Sequence, residues 1–318
     1  MHPTFPALGI ALLAMALPLQ AAPTSMQATQ ARLARPDGGL IVVAHRGCHN
    51  PAPGHGLAGH APENSLAGLQ RCIAIGADMM ETDVRKAADG TLVMFHDDTV
   101  DRTTDGHGKV ADLTWADLSQ LRLKDDEGQP GMALTDLHPL SLAQILAAAK
   151  GRIMLNLDVK AAVYVETVDA VRRAGMERQV VVKTEVGVDS SPLAAMSPFD
   201  HVNFMPILMN AHGDADLAAI ATKQGEGGAR PVAFELPRMQ AAQLAPVVVA
   251  ARRLHVRLFV NTLWQGFVAG YGGDADALAN PDAVWGRLFR EGVSIIQTDE
   301  PESVLRYRDG LEGAAHAG

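Results

Sequence analysis

The chain has 318 residues, of which 47% are hydrophobic and 20% charged, and its formal net charge at pH 7 is −9. That length accommodates one barrel domain of roughly 250 residues with an ample apolar core. The acidic balance and the lack of a basic run argue against nucleic-acid binding in the absence of a local basic patch.

The first 22 residues contain no Lys, Arg, Asp or Glu. Their apolar run, residues 7–19, has the length of a signal-peptide core and is too short to span a bilayer. Pro18 further disfavours the alternative, a transmembrane anchor, and the pair Ala21-Ala22 offers a cleavage site. We therefore expect a signal peptide over residues 1–22, an exported, periplasmic protein, and no stable membrane insertion after cleavage.

Residues 23–38 are small and polar, which predicts a linker. A single domain is expected over residues 39–310, followed by a tail over 311–318. Its apolar runs are near-continuous, as in strands that are buried on both faces of a parallel sheet. The predicted strands are residues 40–44, 79–84, 92–95, 153–157, 180–184, 202–207, 232–234, 258–260 and 294–297.

Helical segments alternate with these strands. Thr114 with Asp117, and Ser141 with Gln144, form capping-box patterns at two helix starts. The other predicted helices are residues 63–76, 163–174, 214–224, 239–254, 283–290 and 301–307. Alternation on this scale favours an α/β fold of the TIM-type (β/α)8 barrel over a doubly wound sheet, and no glycine-rich dinucleotide motif follows the first strand.

Two long irregular stretches are expected at the barrel top. Asp89-Gly90 is a tight-turn signal, so residues 79–95 are predicted to form a hairpin, and an inserted, irregular segment follows over residues 97–140. The stretch between Cys48 and Ala61 is rich in glycine and proline. Loops of this kind are where an enzyme builds substrate selection.

Cys48 and Cys72 are the two cysteines of the chain. Export would permit a disulfide between them. Spacing alone does not decide between a bridge and two unpaired side chains, so both alternatives stay open.

Three carboxylates are candidates for a metal site. Glu81 and Asp83 are two residues apart on a strand, so both side chains point to the same face. Converging carboxylates repel each other unless a cation or a shared proton relieves them, although a surface salt-bridge pair is the alternative for these two alone. Asp158 follows the next strand and supplies a third. Oxygen ligands without a cysteine or histidine run favour one divalent cation, Ca²⁺ or Mg²⁺, over zinc.

Two histidines, His45 and His96, each follow a strand directly and have a charged neighbour, Arg46 or Asp97. The near-neutral pKa of histidine suits one ring to accept a proton and the other to donate one to a leaving alkoxide. The other ten histidines are interpreted as solvated or loop residues. They include His49, His55 and His60, whose irregular spacing is only a weak signal for a transition-metal site.

Arg46 offers a planar fork suited to phosphate oxygens, and Lys160 shares a strand face with Asp158. Trp264 either walls the pocket or packs in the core. Asp299 ends the last strand, where it either orients a histidine or caps the final helix; we favour the structural role.

These residues together resemble the glycerophosphodiester phosphodiesterase family. The resemblance rests on His45-Arg46-Gly47, Pro62-Glu63-Asn64, Glu81-x-Asp83, His96-Asp97-Asp98-Thr99 and Thr298-Asp299-Glu300-Pro301. It implies a TIM-type barrel with an insertion after the second strand. It also implies Ca²⁺- or Mg²⁺-dependent cleavage of a small-molecule glycerophosphodiester to sn-glycerol 3-phosphate and an alcohol.

The resemblance also implies roles for individual side chains: acid and base for His45 and His96, metal binding for Glu81, Asp83 and Asp158, phosphate contact for Arg46 and Lys160, and a place in the site motif for Glu63. Two departures are visible. The family usually has Glu where this chain has Asp158, and the stretch from Cys48 to Ala61 is longer than usual.

Rival functions remain open at this stage. A lysophospholipase D or a sphingomyelinase D-like phosphodiesterase would use the same scaffold, and a non-catalytic exported binding protein would have lost its metal site at Asp158. A glycoside hydrolase with paired carboxylates is disfavoured because Glu81 and Asp83 lie too close along one strand, and because both histidines would be unexplained. The alcohol moiety, the identity of the cation and the oligomeric state are not predicted.

Overall fold

The computed structural model describes residues 25–316, so the predicted signal peptide lies outside the described residues. The strands are β1 (Ile41–Ala44), β2 (Met79–Lys86), β3 (Leu92–Met94), β4 (Met154–Val159), β5 (Val180–Val186), β6 (Asn203–Leu208), β7 (Ala233–Leu236), β8 (Met239–Gln240), β9 (Arg257–Asn261), β10 (Val268–Ala269) and β11 (Ile295–Thr298). Eight of them are parallel and run around a ring in the order β1, β2, β4, β5, β6, β7, β9, β11. Pairing of β1 with both β2 and β11 closes the ring, which confirms the predicted TIM-type barrel.

The helices cover the outside of the barrel. They are α1 (Ser25–Leu33), α2 (Leu66–Ile75), α3 (Trp115–Leu118), α4 (Leu142–Ala149), α5 (Tyr164–Ala174), α6 (Leu217–Gln224), α7 (Ala241–Leu254), α8 (Asp274–Ala279), α9 (Arg287–Glu291) and α10 (Pro301–His316). Both predicted capping boxes are present, at Thr114 before α3 and at Ser141 before α4. None of the helices within the described residues is long and apolar enough to cross a membrane.

The barrel interior is built in layers by the two-residue period of its strands. An apolar layer fills the end where the strands begin, and its members are Ile41, Val43, Met79, Met154, Val181, Met205, Ala233, Phe259 and Ile295. Two residues further along the strands, the buried layer is largely polar, and it includes His45, Glu81, Asn156, Lys183, Glu235, Asn261 and Gln297. The apolar layer closes the barrel floor, and the polar layer faces the carboxyl-terminal mouth, where TIM barrels carry their active sites.

The segment before β1 differs from the prediction of a linker over residues 23–38. Residues 25–33 form α1, and Leu33 packs against the apolar layer of the barrel floor. Buried Asp78 fixes this helix, since it accepts a hydrogen bond from Thr29 (2.9 Å) and pairs with Arg32 (3.0 Å). These tertiary contacts, rather than an amphipathic pattern, hold the helix in place.

Other boundaries shift in smaller ways. Helix α2 begins after Ser65, whose side chain accepts from the backbone N–H of Gly68, and not at residue 63. The predicted helix at 283–290 is a π-helical turn over Asp282–Gly286 followed by α9. Helix α10 continues to His316, into the residues predicted to form a tail.

The predicted hairpin is confirmed, because β3 pairs antiparallel with β2. The inserted segment that follows has its own apolar centre, in which Val93, Val100, Val110 and Leu118 are buried together. Cys48 and Cys72 form a disulfide that joins the loop after β1 to α2, which settles the alternative that the sequence left open.

Candidate active site

His45 lies at the mouth of the barrel, one residue past β1, and is 6% exposed. Strands β1 and β11 are in register at Ala44 and Thr298, so the next residues, His45 and Asp299, lie side by side. Nδ1 of His45 donates to Oδ1 of Asp299 over 2.8 Å. Asp299 therefore orients a histidine, and the structural role that we favoured for it is wrong.

His49 lies in the loop after β1, as one of the two predicted alternatives has it, but it is buried next to this pair rather than solvated. Its Nδ1 donates to Asp126 over 2.7 Å, and its Nε2 donates to Oδ1 of Asp299 over 3.0 Å. Burial alone would lower the pKa of His49, but the hydrogen bonds to these two carboxylates raise it to about 10. His49 is thus an imidazolium at neutral pH, and it fixes the carboxylate that holds His45.

The three predicted metal-binding carboxylates converge. Strands β2 and β4 are in register at Asp83 and Asp158, and one carboxylate oxygen from each of these residues and from Glu81 lies within 4.8 Å of the others. Burial and the neighbouring Asp83 raise the pKa of Glu81 to about 7. A group of three converging carboxylates offers only oxygen ligands, which fits a hard divalent cation, and the shorter side chain of Asp158 still reaches it.

Two lysines lie against this group. Lys160, predicted from the sequence, places Nζ 2.8 Å from Asp158 and 3.3 Å from Asp83. Lys183 was not predicted; its Nζ lies 3.2 Å from both Asp158 and Glu235. Burial would lower the pKa of Lys183, but the surrounding carboxylates raise it overall, so the side chain stays charged. The signal in the sequence that could have identified Lys183 as a site residue is its position as a charged residue within the apolar run of β5.

Arg46 adopts the left-handed conformation (φ 48°), and its backbone N–H donates to Glu81 over 2.8 Å. Its guanidinium bonds Glu63 over 3.0 Å. Glu63 also accepts two hydrogen bonds from Arg102, at 2.8 and 2.9 Å. Glu63 does not line the cavity but lies behind Arg46, so its contacts are those of a support for Arg46 rather than of a direct substrate ligand.

His96 lies across the mouth in the loop after β3, and its side chain is 35% exposed. Its Nδ1 donates to Asp97 over 2.8 Å, and Arg102 binds the same carboxylate through Nε over 2.8 Å. Burial lowers the pKa of His96, against the opposing effect of Asp83. The ring is therefore neutral at pH 7, and its Nε2 is the nitrogen left for a ligand.

These residues share one cavity of about 600 Å³. Its polar part includes His45, Arg46, Glu81, Asp83, His96, Asp158, Lys160 and Lys183. Its apolar part includes Ile207, Met209, Leu263, Trp264 and Phe267. Trp264 is 54% exposed and packs edge-to-face on Phe267 with ring centroids 4.7 Å apart, so it walls the mouth. The arrangement can hold a phosphate beside a cation, between two proton-carrying rings.

Two family models match consecutive parts of the chain. The model of the glycerophosphoryl diester phosphodiesterase family matches residues 45–202, which contain both histidines, the three carboxylates and Lys160. A model of a domain of unknown function matches residues 204–308, which contain Trp264 and Asp299.

Curated relatives match over shorter lengths. A glycerophosphodiester phosphodiesterase of Caldanaerobacter subterraneus is 42% identical over 81 residues, which are 26% of this chain and 30% of that protein. Glycerophosphodiester phosphodiesterase 1 of Bos taurus is 31% identical over 143 residues, 45% of this chain and 40% of that protein. The chain thus spans less than half the length of either relative.

Solved structures match over most of the chain. A glycerophosphoryl diester phosphodiesterase from Parabacteroides distasonis has a TM-score of 0.63 at 24% identity, covering 86% of this chain and 87% of that one. A phosphodiesterase from Oleispira antarctica, solved in complex with the product sn-glycerol-3-phosphate, has a TM-score of 0.57 at 19% identity, covering 85% and 97%. At these identities the likeness establishes the shared barrel fold.

Proposed function

The chain belongs to the glycerophosphoryl diester phosphodiesterase family, and from that premise we propose that it hydrolyses glycerophosphodiesters to sn-glycerol 3-phosphate and an alcohol. The observation that carries the proposal is the meeting of His45, His96 and three carboxylates in one cavity with Arg46 and Lys160. The product held by the Oleispira antarctica phosphodiesterase is of the same chemical class.

The cofactor in this proposal is one divalent cation, Ca²⁺ or Mg²⁺, held by Glu81, Asp83 and Asp158. Bound there, it would act as a Lewis acid on a non-bridging phosphate oxygen. Arg46 and Lys160 line the same cavity and bind the remaining phosphate oxygens, which neutralises charge that builds in the transition state. Glu63 keeps Arg46 in position for this contact.

Two proton transfers are assigned to the two histidines. Because the pKa of His96 is lowered, its neutral Nε2 accepts the proton of the attacking hydroxyl. His45 then donates a proton from its Nε2 to the departing alkoxide, while Asp299 stabilises the imidazolium through Nδ1. The attacking hydroxyl is either that of water or the glycerol 2-hydroxyl, and in the second case water then opens the cyclic phosphate to give sn-glycerol 3-phosphate. Detection of a cyclic phosphate by ³¹P NMR distinguishes the two routes.

A metal-dependent assay tests this function. Purified protein is incubated with glycerophosphocholine, stripped with a chelator, and resupplied with Ca²⁺ or Mg²⁺. We expect activity to vanish with the chelator and to return with the cation. His45→Ala and His96→Ala should each abolish turnover with the fold intact by circular dichroism. The matched control is His107→Ala, whose side chain is 88% exposed and bonds only to Asp101 among the described contacts. Wild-type rates in either active-site variant would contradict the assignment.

A second candidate, lysophospholipase D activity, is favoured by the apolar wall of the cavity. Trp264, Phe267 and Leu263 offer an apolar surface that a free glycerophosphodiester does not need and that an acyl chain would cover. A panel of glycerophosphocholine, glycerophosphoethanolamine and lysophosphatidylcholine separates the two activities. Higher kcat/KM for the acylated substrate, lost in Trp264→Ala, would support the second candidate.

We also propose that the protein works outside the cytoplasm. The disulfide between Cys48 and Cys72 supports this, because such bonds persist in oxidising compartments. Fractionation of cells that produce the full chain, with a cytoplasmic and a periplasmic marker, tests the location, and recovery with the cytoplasmic marker would contradict it.

A further inference from the structure

A second group of potential metal ligands includes His45 and shares no residue with the three-carboxylate group. It comprises His45, His49, Glu127 and Asp299, each of which offers one ligand atom, and these four atoms all lie within 4.8 Å of one another. We propose that they form a second cation site, which takes Zn²⁺ or a similar transition ion, and that its occupancy inhibits the hydrolysis proposed above. The inhibitory part rests on that proposed function; the binding part does not.

The separations between these ligand atoms lie on either side of those that a tetrahedral ion requires. Zinc bonds of about 2.0–2.2 Å place neighbouring ligand atoms roughly 3.3–3.5 Å apart. Here Nδ1 of His45 is 2.8 Å from Asp299 and 4.0 Å from Glu127, and Nε2 of His49 is 3.0 Å from Asp299. Small side-chain movements therefore suffice to surround an ion with two nitrogens and two oxygens.

His49 already has the hydrogen bond that a metal-bound histidine needs. Its Nδ1 donates to Asp126, which fixes the ring and leaves Nε2 as the ligand atom. Metal-binding histidines nearly always donate their second nitrogen to a carboxylate or carbonyl in this way. Binding of the cation displaces the proton that Nε2 of His49 shares with Asp299 in the metal-free protein. The hydrogen on Nδ1 of His45 also leaves or moves to Nε2 of that ring.

The backbone that carries Glu127 is firmly held. The carbonyl of Asp126 accepts from the backbone N–H of Glu63 over 2.8 Å, and the carbonyl of Glu127 accepts from the guanidinium of Arg102. At Gly128 (φ 66°) a Cβ atom would lie 2.5 Å from the carbonyl oxygen of Arg102, so the two backbones are in direct contact. The backbone therefore already holds Glu127 next to the other three ligands.

The ligand chemistry separates the two sites. Glu81, Asp83 and Asp158 offer oxygen only, which suits Ca²⁺ or Mg²⁺, whereas imidazole nitrogens select borderline ions such as Zn²⁺. The negative charge of Asp299 and Glu127 is balanced in the metal-free protein by the His49 imidazolium and by Arg46, whose Nη1 lies 3.5 Å from Glu127. A bound divalent ion would replace the positive charge of the His49 imidazolium next to these two carboxylates.

Occupancy would disable His45 in either of its protonation roles. With Nδ1 bound to the cation, the ring keeps its hydrogen on Nε2, so Nε2 has no lone pair to accept a proton. A neutral metal-bound imidazole also does not release that hydrogen near neutral pH. Zinc should therefore lower kcat while it leaves the phosphate-binding side chains Arg46 and Lys160 in the cavity.

Direct binding is measured first, by equilibrium dialysis of the full chain against ZnCl₂ with Ca²⁺ in large excess. We expect one tightly bound zinc per chain in the wild type and in Asp158→Asn. His49→Gln should weaken zinc binding at least tenfold. The matched control is His55→Gln, in the same loop, whose ring is 43% exposed and bonds Glu302 away from the cluster. If His49→Gln fails to fold by circular dichroism, Glu127→Gln replaces it.

Inhibition is measured second, as the ratio of rates with and without ZnCl₂ for each variant. We expect zinc to inhibit the wild type and His55→Gln, but to have at least tenfold less effect on His49→Gln. Absence of zinc binding, binding that survives His49→Gln, or loss of binding in Asp158→Asn would overturn the site. Binding without inhibition would overturn the regulatory role. If the protein cleaves no phosphodiester, the proposed function fails while dialysis still decides the site.

Discussion

Replacing Asp299 with Asn tests how the ring of His45 is held. The carboxylate accepts hydrogen bonds from Nδ1 of His45 at 2.8 Å and from Nε2 of His49 at 3.0 Å, both through Oδ1. The amide keeps the shape of the side chain but removes the charge. Its one remaining oxygen is an uncharged and therefore weaker acceptor, and its NH₂ group cannot accept a hydrogen bond, so the ring of His45 is held less firmly and can change tautomer.

The magnitude follows from those two contacts. A hydrogen bond to a charged partner contributes about 1.5–3 kcal/mol, and each 1.36 kcal/mol corresponds to about a tenfold change in rate. Weakening or loss of one to two such bonds in the transition state predicts a fall in kcat of about 10–10⁴. Asp299 does not line the cavity, so KM should stay within about threefold of the wild-type value.

The assay is steady-state hydrolysis of glycerophosphocholine over a range of pH. Glu300→Gln is the matched control: the same change is made one residue later, at a side chain that bonds Asn50 and whose pKa is raised to about 6, mainly by burial. We expect the control to retain activity and the Asp299 variant to lose kcat with an altered pH profile. An unchanged kcat in Asp299→Asn, or equal losses in both variants, would refute the idea that this carboxylate orients His45.

Three further predictions concern the cation site, the stability of the protein at low pH, and the disulfide. Asp158→Asn should weaken activation by Ca²⁺ or Mg²⁺ at least tenfold in a cation titration; an unchanged titration would exclude Asp158 as a ligand. The pKa values of Asp97 and Asp299 in the folded protein lie below their ordinary value, Asp97 mainly through its hydrogen bond from Arg102 and Asp299 through His45 and His49 against the effect of burial. Their stabilising contribution is therefore complete above roughly pH 4–5 and is lost as pH falls through the lower folded values. Thermal melts should show Tm falling below that pH, less steeply in Asp299→Asn, and identical slopes would contradict this origin. The disulfide spans a sequence separation of 24, so replacing both cysteines with Ala should lower the free energy of unfolding by about 3.5 kcal/mol in urea melts. Adding a reductant should then leave the free energy of unfolding of that double variant unchanged.

The parts of the site that follow strand register were predictable from the sequence. Asp83 and Asp158 end up adjacent because β2 and β4 are parallel and in register at these residues. The same rule brings His45 to the mouth of the barrel, one residue past β1. Residues at the carboxyl ends of parallel strands meet at one face, so local patterns sufficed for them.

Residues whose role depends on loop docking were not predictable in this way. His49 and Asp126 are 77 residues apart, and nothing in either local sequence indicates that they form a buried pair. Lys183 is different, because a charged residue inside an apolar strand is a signal that the sequence itself contains. Helix α1 was missed because tertiary contacts to Asp78 hold it, and propensity alone does not report them.

The pairing of the first barrel strand with the last has a consequence for how the protein matures. During synthesis the ribosome releases His45, His96 and the three carboxylates long before it reaches Asp299, which is 254 residues beyond His45. A nascent or truncated chain that ends before β11 holds every proton carrier and every carboxylate of the cation site, yet lacks the side chain that orients one ring. Full catalytic competence would therefore arrive only at ring closure, when Asp299 reaches His45.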